Sequence, residues 1–566
     1  MPFALRARLR QLARALRTAS LASVALVAGV PVARAAAPAL DWVSRYFDVS
    51  YGNNQVTAMT LDAQGNILVT GYSSGSWWDI ATVKYAPDGT QLHVARYDGI
   101  GHGDDVPQAI AVDGAGNVYV AGYSDTNGQY NYDFLIVKYD PDLVQRWART
   151  YAGQFNIGLD EATGVATDAN GNVYVTGFSF EAPTDNDFVT IKYDSLGTQL
   201  WVRRYDGPGH QSDGSNAVVL DSDANVYVTG ISNGSTSGVN NDAATLKYDT
   251  NGNQKWVRRH NGLGNGNDSG ISLALDAARD VFVAGYSTGA GTHFDFTTLR
   301  YDADGTEAWV RTHDDSTHAN DSALDLVLDA QGNVVVTGFS SNPGVGADYT
   351  TIKYAPNGTE QWVATYDGPV HGYDEGQAVA VDAAGNVYMT GYSDGGTAGV
   401  VNYDYATVKY DPSGVQQWAV RYNGTGDNID VAAGIAVTPL GQVIVSGWST
   451  GTRSTAVDFA TLQYDQGATG APVLASGRVA GAPRLLGAAP NPFVSTTQIR
   501  FELPREAACD LALFDVAGRR VATLARGSLA AGDHVVDVGP ALSPGVYFCR
   551  LRVNGTTLSQ KLVREK

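Results

Sequence analysis

Between about residue 54 and residue 465 the chain alternates apolar and polar positions in runs of five to eight residues, never at helical spacing. In the stretch Ala378 to Tyr422 the runs are Ala378-Val-Ala-Val-Asp, Asn386-Val-Tyr-Met-Thr-Gly-Tyr-Ser, Asp404-Tyr-Ala-Thr-Val-Lys-Tyr-Asp and Gln417-Trp-Ala-Val-Arg-Tyr. They are rich in β-branched and aromatic residues and bounded by Asp, Gly, Asn and Pro, which predicts four strands. The links Asp382-Ala-Ala-Gly-Asn and Asp411-Pro-Ser-Gly are short enough for tight antiparallel turns. A four-stranded meander is the unit.

The unit repeats. The phrase Gly-Asn-Val-Tyr-Val-Thr-Gly-Tyr-Ser and its variants place a second glycine at Gly71, Gly122, Gly177, Gly230, Gly285, Gly338, Gly391 and Gly447, about 54 residues apart, a spacing of propeller blades. Third runs carry Asp79, Asp133, Asp187, Asp242, Asp295, Asp348, Asp404 and Asp458. Fourth runs carry Trp42, His93, Trp147, Trp201, Trp256, Trp309, Trp362 and Trp418. The first of these precedes every other run and none follows Asp458, so the N-terminal run supplies the missing strand of the last repeat. An open solenoid has no use for that offset, whereas a closed array does. The expected fold is all-β: an eight-bladed β-propeller of four-stranded blades over 36–467, its N-terminal strand closing the last blade. Seven blades plus a degenerate unit is the alternative.

The repeated phrase resembles the bacterial SBBP-type β-propeller repeat family, over about three quarters of the chain. The resemblance implies the fold and no activity.

Residues recurring once per repeat are expected to fill the space between blades. These are the fourth-run Trp and the third-run Tyr85, Tyr139, Tyr193, Tyr248, Tyr301, Tyr354, Tyr410 and Tyr464. Trp77, Trp78 and Trp448 fall outside the pattern and are candidates for surface contact. Arg96, Arg149, Arg204, Arg259, Arg311 and Arg421 are expected on exposed outer strands, where charge discourages sheet-to-sheet pairing.

Charge narrows the function. The 566 residues carry a formal net charge of −20, which disfavours nucleic acid and anionic membrane surfaces as partners. The charge is uneven. Residues 1–35 hold six Arg and no acid and pass from a basic start through an apolar run from Ala19 to Val32 to Ala33-Arg34-Ala35, the pattern of a Sec signal peptide. That run is shorter than a membrane span and is interrupted by Gly29 and Pro31. Residues 36–477 sum to −31 and 484–566 to +4, which marks a domain boundary across a Gly/Ala/Pro-rich linker at 468–483.

Candidate binding groups are the aspartates that open the first runs: Asp105, Asp160, Asp213, Asp268, Asp321, Asp374 and Asp430, with Asn54 in the first repeat. Up-down connectivity puts them on the face of the long loops, such as Ser124-Asp-Thr-Asn-Gly-Gln-Tyr-Asn-Tyr, and loops on a rigid scaffold carry binding sites. Each either caps a turn by accepting backbone N–H groups or offers oxygen to a ligand. No other cofactor is implied, and Ca²⁺ is the minority reading of these carboxylates, since no local D-x-D-x-D-G loop gathers six to eight oxygens. No G-x-S-x-G, H-E-x-x-H, P-loop or C-x-x-C motif is present, so no catalytic residue is assigned. Tyr410 to Trp418 superficially resembles a quinoprotein docking motif but lacks its vicinal cysteines. His102, His210 and His371 recur in fourth-to-first loops and read as solvated residues or parts of a shared pocket.

Residues 484–566 predict a small antiparallel sandwich. Asn491-Pro492-Phe493, Phe514-Asp515-Val-Ala-Gly518-Arg519, Pro544-Gly545-Val546-Tyr547 and a basic tail ending at Lys566 resemble the C-terminal sorting domain of type IX secretion and the related FlgD-like immunoglobulin fold. The resemblance implies handling by outer-membrane secretion machinery and a secreted or cell-surface location. Cys509 and Cys549 share inward parity, as a disulfide or as two buried thiols. Two functions follow: a binding propeller that contacts a glycan or protein through its long-loop face, or a polysaccharide-active enzyme (hydrolase or lyase) using pocket Asp residues as acid and base.

Overall fold

In the computed structural model the residues described are those within 37–564, apart from 48–51, 76, 128–130, 154–158, 182–184, 235–239, 292, 316–317, 343–345, 397–401, 427, 452–455, 467–483, 490–492, 494–495, 504–506, 516–518, 530–531, 540–541 and 554–555. Asn491, Pro492, Gly518, the 1–35 leader and the linker all lie outside them.

Among the described residues every element is a strand. Sheet 1 is a meander of Asn54–Leu61, Ile67–Ser74, Trp78–Tyr85 and Gln91–Tyr97. Six further sheets repeat it, opening at Asp105, Asp160, Asp213, Ser269, Asp321 and Asp374. Sheet 8 takes Asp430–Val437, Val443–Thr450 and Val457–Asp465 from the end of the array and its outer strand, Ala39–Tyr46, from the start of the chain. First strands contact first strands in sequence from sheet to sheet, and Asp430–Val437 of sheet 8 contacts Asn54–Leu61 of sheet 1.

The repeated glycine has a steric cause. Each first strand bulges, for example between Val56 and Ala58, and its displaced carbonyl occupies the space where a Cβ of the second strand would stand. A Cβ on any of the eight glycines would meet that oxygen at 1.8–2.1 Å.

The core lies between sheets. Leu68 and Ile80 of sheet 1 pack with Val118, Val137 and Tyr139 of sheet 2, and Ile444 and Phe459 of sheet 8 pack with Val56, Ile67 and Tyr85 of sheet 1. The third-strand tyrosines are buried throughout. The fourth-strand Trp of sheets 2 to 6 each lie against a positive-φ glycine in the next sheet's outer turn. Cβ atoms at Gly197, Gly252, Gly305, Gly358 and Gly414 would come within 2.6–2.9 Å of Trp147, Trp201, Trp256, Trp309 and Trp362. Sheet 1 carries His93 instead of Trp, and the facing turn carries Leu143 at φ 58° instead of glycine.

The outer-strand arginines are not free edge charges. Arg149 and Arg311 stack beside Trp147 and Trp309 and donate to the Gly197 and Gly358 carbonyls of the next sheet, at 2.8 and 2.6 Å. Arg96, Arg204, Arg259 and Arg421 instead turn inward to the third-strand Asp or second-strand Ser of their own sheets. The guanidinium's fixed fork makes it a tie between strands and sheets.

In the C-terminal region a three-stranded sheet (Arg484–Ala489, Thr497–Leu503, Gly532–Val538) and a four-stranded sheet (Ala507–Asp515, Arg520–Leu529, Gly545–Val553, Thr556–Arg564) share one core around Ile499, Phe501, Leu511, Leu513 and Leu551. Cys509 stands opposite Val553 and Cys549 opposite Leu513, so the two lie four residues apart along paired strands. At about 3.4 Å per residue that is roughly 14 Å, twice the Cα reach of a disulfide. Both are buried free thiols.

Candidate functional site

The seven strand-opening aspartates lie at the end of the sheets where the long loops emerge, and all are buried. Their carboxylates hold the incoming loops. The amides of Gly99, Gly153, Gly207, Gly262, Asp315, Gly368 and Gly424 donate to Asp105, Asp160, Asp213, Asp268, Asp321, Asp374 and Asp430 at 2.6–3.1 Å. In four cases the other oxygen accepts from the end of the second strand: Phe180, Asn233, Thr288 and Thr450 donate to Asp160, Asp213, Asp268 and Asp430. One buried side chain thus pins both the loop and the neighbouring hairpin. In sheet 1 Asn54 does this through its amide, which donates to the Gly52 and Val457 carbonyls.

Chain topology adds acids that sequence spacing did not join. Asp105 meets Asp79 and Asp98; Asp213 meets Asp187 and Asp206; Asp321 meets Asp314 and Asp315; Asp374 meets Asp348 and Asp367. Within each group the oxygens lie within 4.8 Å of one another. Burial, reinforced by Asp79 and Asp98, raises Asp105 to about 7, and burial with the Asp367 and Asp374 charges raises Asp348 to about 6. Arg96 and Arg204 pair with Asp79 and Asp187. The other two groups have no such arginine, because the corresponding outer-strand positions are Thr312 and Thr365. As a Ca²⁺ cradle each group fits poorly, since the three carboxylates converge with one oxygen each and the strand-opening one already holds a backbone amide.

Histidines stand beside these groups. His102, His210, His318 and His371 adopt φ 48–54° and direct Nδ1 to the aspartate four residues earlier: Asp98, Asp206, Asp314 and Asp367. The Asp206, Asp314 and Asp367 carboxylates hold the His210, His318 and His371 imidazoles above their ordinary value. Between sheets 4 and 5 an Asn261–Asn265 pair makes the same contact at 2.7 Å, which identifies it as a loop brace. His318 escaped the sequence pattern because Asp315 stands where the other three loops have Gly99, Gly207 and Gly368.

Two further features were not singled out. Asp325 sits where the other sheets have Ala58, Ala109, Gly164, Ala217, Ser272, Ala378 and Gly434. It accepts from Ser272 Oγ of sheet 5 at 3.1 Å, from its neighbour Leu326 N at 2.8 Å, and from Val379 N of sheet 7 at 3.0 Å. Burial raises it to about 6. An aromatic pair also closes the loop end of several sheets: Tyr72–Trp78, Tyr123–Tyr132, Tyr286–Phe294 and Tyr392–Tyr403, with centroids 4.6–5.0 Å apart.

In the C-terminal region Phe493 is buried and its amide donates to the Val563 carbonyl at 3.0 Å. Asp515 accepts from both the backbone and Nε of Arg519, at 2.9 and 3.0 Å. Tyr547 donates to the Ser543 carbonyl at 2.7 Å, and Gly545 opens the strand that carries it. These residues close turns and the core; they do not form a pocket among the described residues.

The β-propeller repeat (SBBP) family model matches residues 95–128 and 365–396, and the secretion system C-terminal sorting domain model matches 488–565. An uncharacterized WD repeat-containing protein of Acanthamoeba polyphaga mimivirus is 23% identical over 529 residues, covering 72% of this chain and 36% of that protein. The chain thus spans about a third of that relative's length. Among solved structures, a fungal alcohol oxidase of the AA5 family in complex with copper is similar at TM-score 0.38 and 14% identity, over 81% of this chain and 96% of that one. The β-propeller domain of the trilobed protease from Pyrococcus furiosus is similar at TM-score 0.35 and 10% identity, over 65% and 98%. Neither likeness bears on chemistry. The chain carries SBBP β-propeller repeats followed by a C-terminal sorting domain, which marks it for export to the cell surface or the medium.

Proposed function

We propose that the protein is a secreted or surface-displayed eight-bladed propeller that binds a ligand through its long-loop face and performs no chemistry there. In this reading 1–35 is a Sec signal peptide, 36–467 the propeller, 468–483 a linker, and 484–566 an immunoglobulin-like sandwich that delivers the chain to the type IX machinery. The observation that carries it is the fixing of seven long loops by buried carboxylates bonded to backbone amides. A face held this way is preorganised for recognition. Carboxylates enclosed and bonded as these are do not serve as an acid–base pair for a polysaccharide, which is why binding is preferred to catalysis.

The test has two arms. Removal of 484–566 in a host with type IX secretion should strand the propeller in the periplasm, and unchanged surface display would overturn the export reading. A glycan array followed by a product assay on the full chain should give binding without cleavage; released product would favour the enzyme.

A further inference from the structure

The aromatic pairs at the loop end recur, but among the described residues only sheet 1 sets a second indole, Trp77, next to its pair. In sheets 2, 5 and 7 the third-strand partners Tyr132, Phe294 and Tyr403 are half-buried. In sheet 1 Trp77 and Trp78 are 43% and 40% exposed. Trp78 lies 4.9 Å from Tyr72 with only 32° between their planes, and the Tyr72 hydroxyl donates to Gln55 Oε1. Asp104 continues the strip towards sheet 2, accepting the Trp78 amide at 3.1 Å and the Tyr132 hydroxyl at 3.3 Å. Arg96, on the same sheet, is engaged by Asp79 and Ser73.

We propose that Trp77 and Trp78, with Tyr72, Gln55 and Asp104, form a platform for a pyranose ring of a neutral glycan. This rests on the loop face being the binding face. An indole face is electron-rich and apolar, and it suits the C–H face of a sugar, whose hydroxyls then reach polar groups at the edge. Gln55 and Asp104 stand at that edge. The carboxylate beside the rings and the −31 charge of residues 36–477 repel uronates and sulfated sugars. Choline tests the alternative, an alkylammonium held over the exposed indoles beside Asp104.

The test uses the full chain and tryptophan fluorescence, backed by calorimetry. The probes are cellohexaose and mannohexaose, with an alginate hexasaccharide and choline as controls. At least one neutral hexasaccharide should bind and quench emission, and both controls should fail. Trp78→Ala should weaken binding about tenfold, the value of one lost ring contact. Trp77→Ala, at an exposed position, should weaken it with the unfolding midpoint unchanged, which guards against misfolding of the other variant. Equal binding by wild type and both variants would overturn the platform while leaving a loop-face ligand in place. Binding of alginate or choline but neither neutral sugar would overturn the assignment of a neutral glycan. Failure of the full chain to bind any array ligand would overturn both.

Discussion

Trp42 lies across Gly89: a Cβ on Gly89 would stand 2.5 Å from the indole Cδ2. Forty-seven positions separate them, yet the contact reproduces the one between Trp147 and Gly197 or Trp256 and Gly305. The strand that arrives from the N-terminus therefore completes sheet 8 and also supplies its packing against sheet 1. Gly89→Ala is expected to cost about 1–3 kcal/mol, from steric overlap and from φ 79° together. Urea unfolding of the full chain checks this, and a change under 0.5 kcal/mol would remove the closing role.

Leu143 predicts the reverse. It adopts φ 58° where the other outer turns have glycine, and sheet 1 offers His93 rather than an indole. A left-handed leucine costs about 1 kcal/mol, against which its side chain, 5% exposed, contributes burial. Leu143→Gly should therefore change stability by less than 1 kcal/mol, whereas Gly305→Leu against Trp256 should be severely destabilising. Thermal unfolding of the two variants gives the comparison.

Asp325 sets a pH dependence. Its folded value of about 6 lies above the ordinary 3.8, so the folded carboxyl keeps its proton to higher pH than the unfolded one. The resulting stabilisation is fully present below about pH 4 and is lost as pH rises through about 6, by at most about 3 kcal/mol. Asp325→Asn should flatten that part of the stability curve between pH 4 and 7, at the cost of one orphaned donor, since its amide nitrogen cannot accept from Val379 N. Denaturation midpoints across that range check it, and an unaltered slope would contradict the assignment.

Asp430 holds the amides of Gly424 and Thr450 at 2.6 and 2.8 Å. Asp430→Ala orphans both in a buried site and should cost about 2–6 kcal/mol, at roughly 1–3 kcal/mol for each unsatisfied group. Because these carboxylates are structural, 5 mM Ca²⁺ or EDTA should leave the melting temperature of the wild type within about 1 °C, given that ligand binding to the native state alone would raise it. A rise of several degrees with Ca²⁺ would restore the metal reading.

Much of the molecule could be read directly from its repeats. Strands follow from alternation, turns from Asp-x-x-Gly-Asn, and the offset of Trp42 places the first strand beside the last sheet. Repetition exposes these features because the same local physics is solved eight times. It hides what occurs once: Asp325 reads as a tolerated change at a small-residue position until its contacts with Ser272 and Val379 are seen. The arginines show the same limit, since the sequence put them on the outer strands but not beside the carboxylates and turn carbonyls that receive them.

By itself the sequence determined the secondary structure, the repeat and the division into a strongly acidic array and a mildly basic tail, all of which depend on residues near one another in the chain. Only the tertiary structure decided which aspartates meet, which indoles stay exposed, and that Cys509 and Cys549 cannot pair. Asp79, Asp98 and Asp105 come together because one sheet's third strand, its exit loop and the next sheet's first strand end at one place. Burial and distance belong to that packing, and they alone turn a row of similar aspartates into loop anchors.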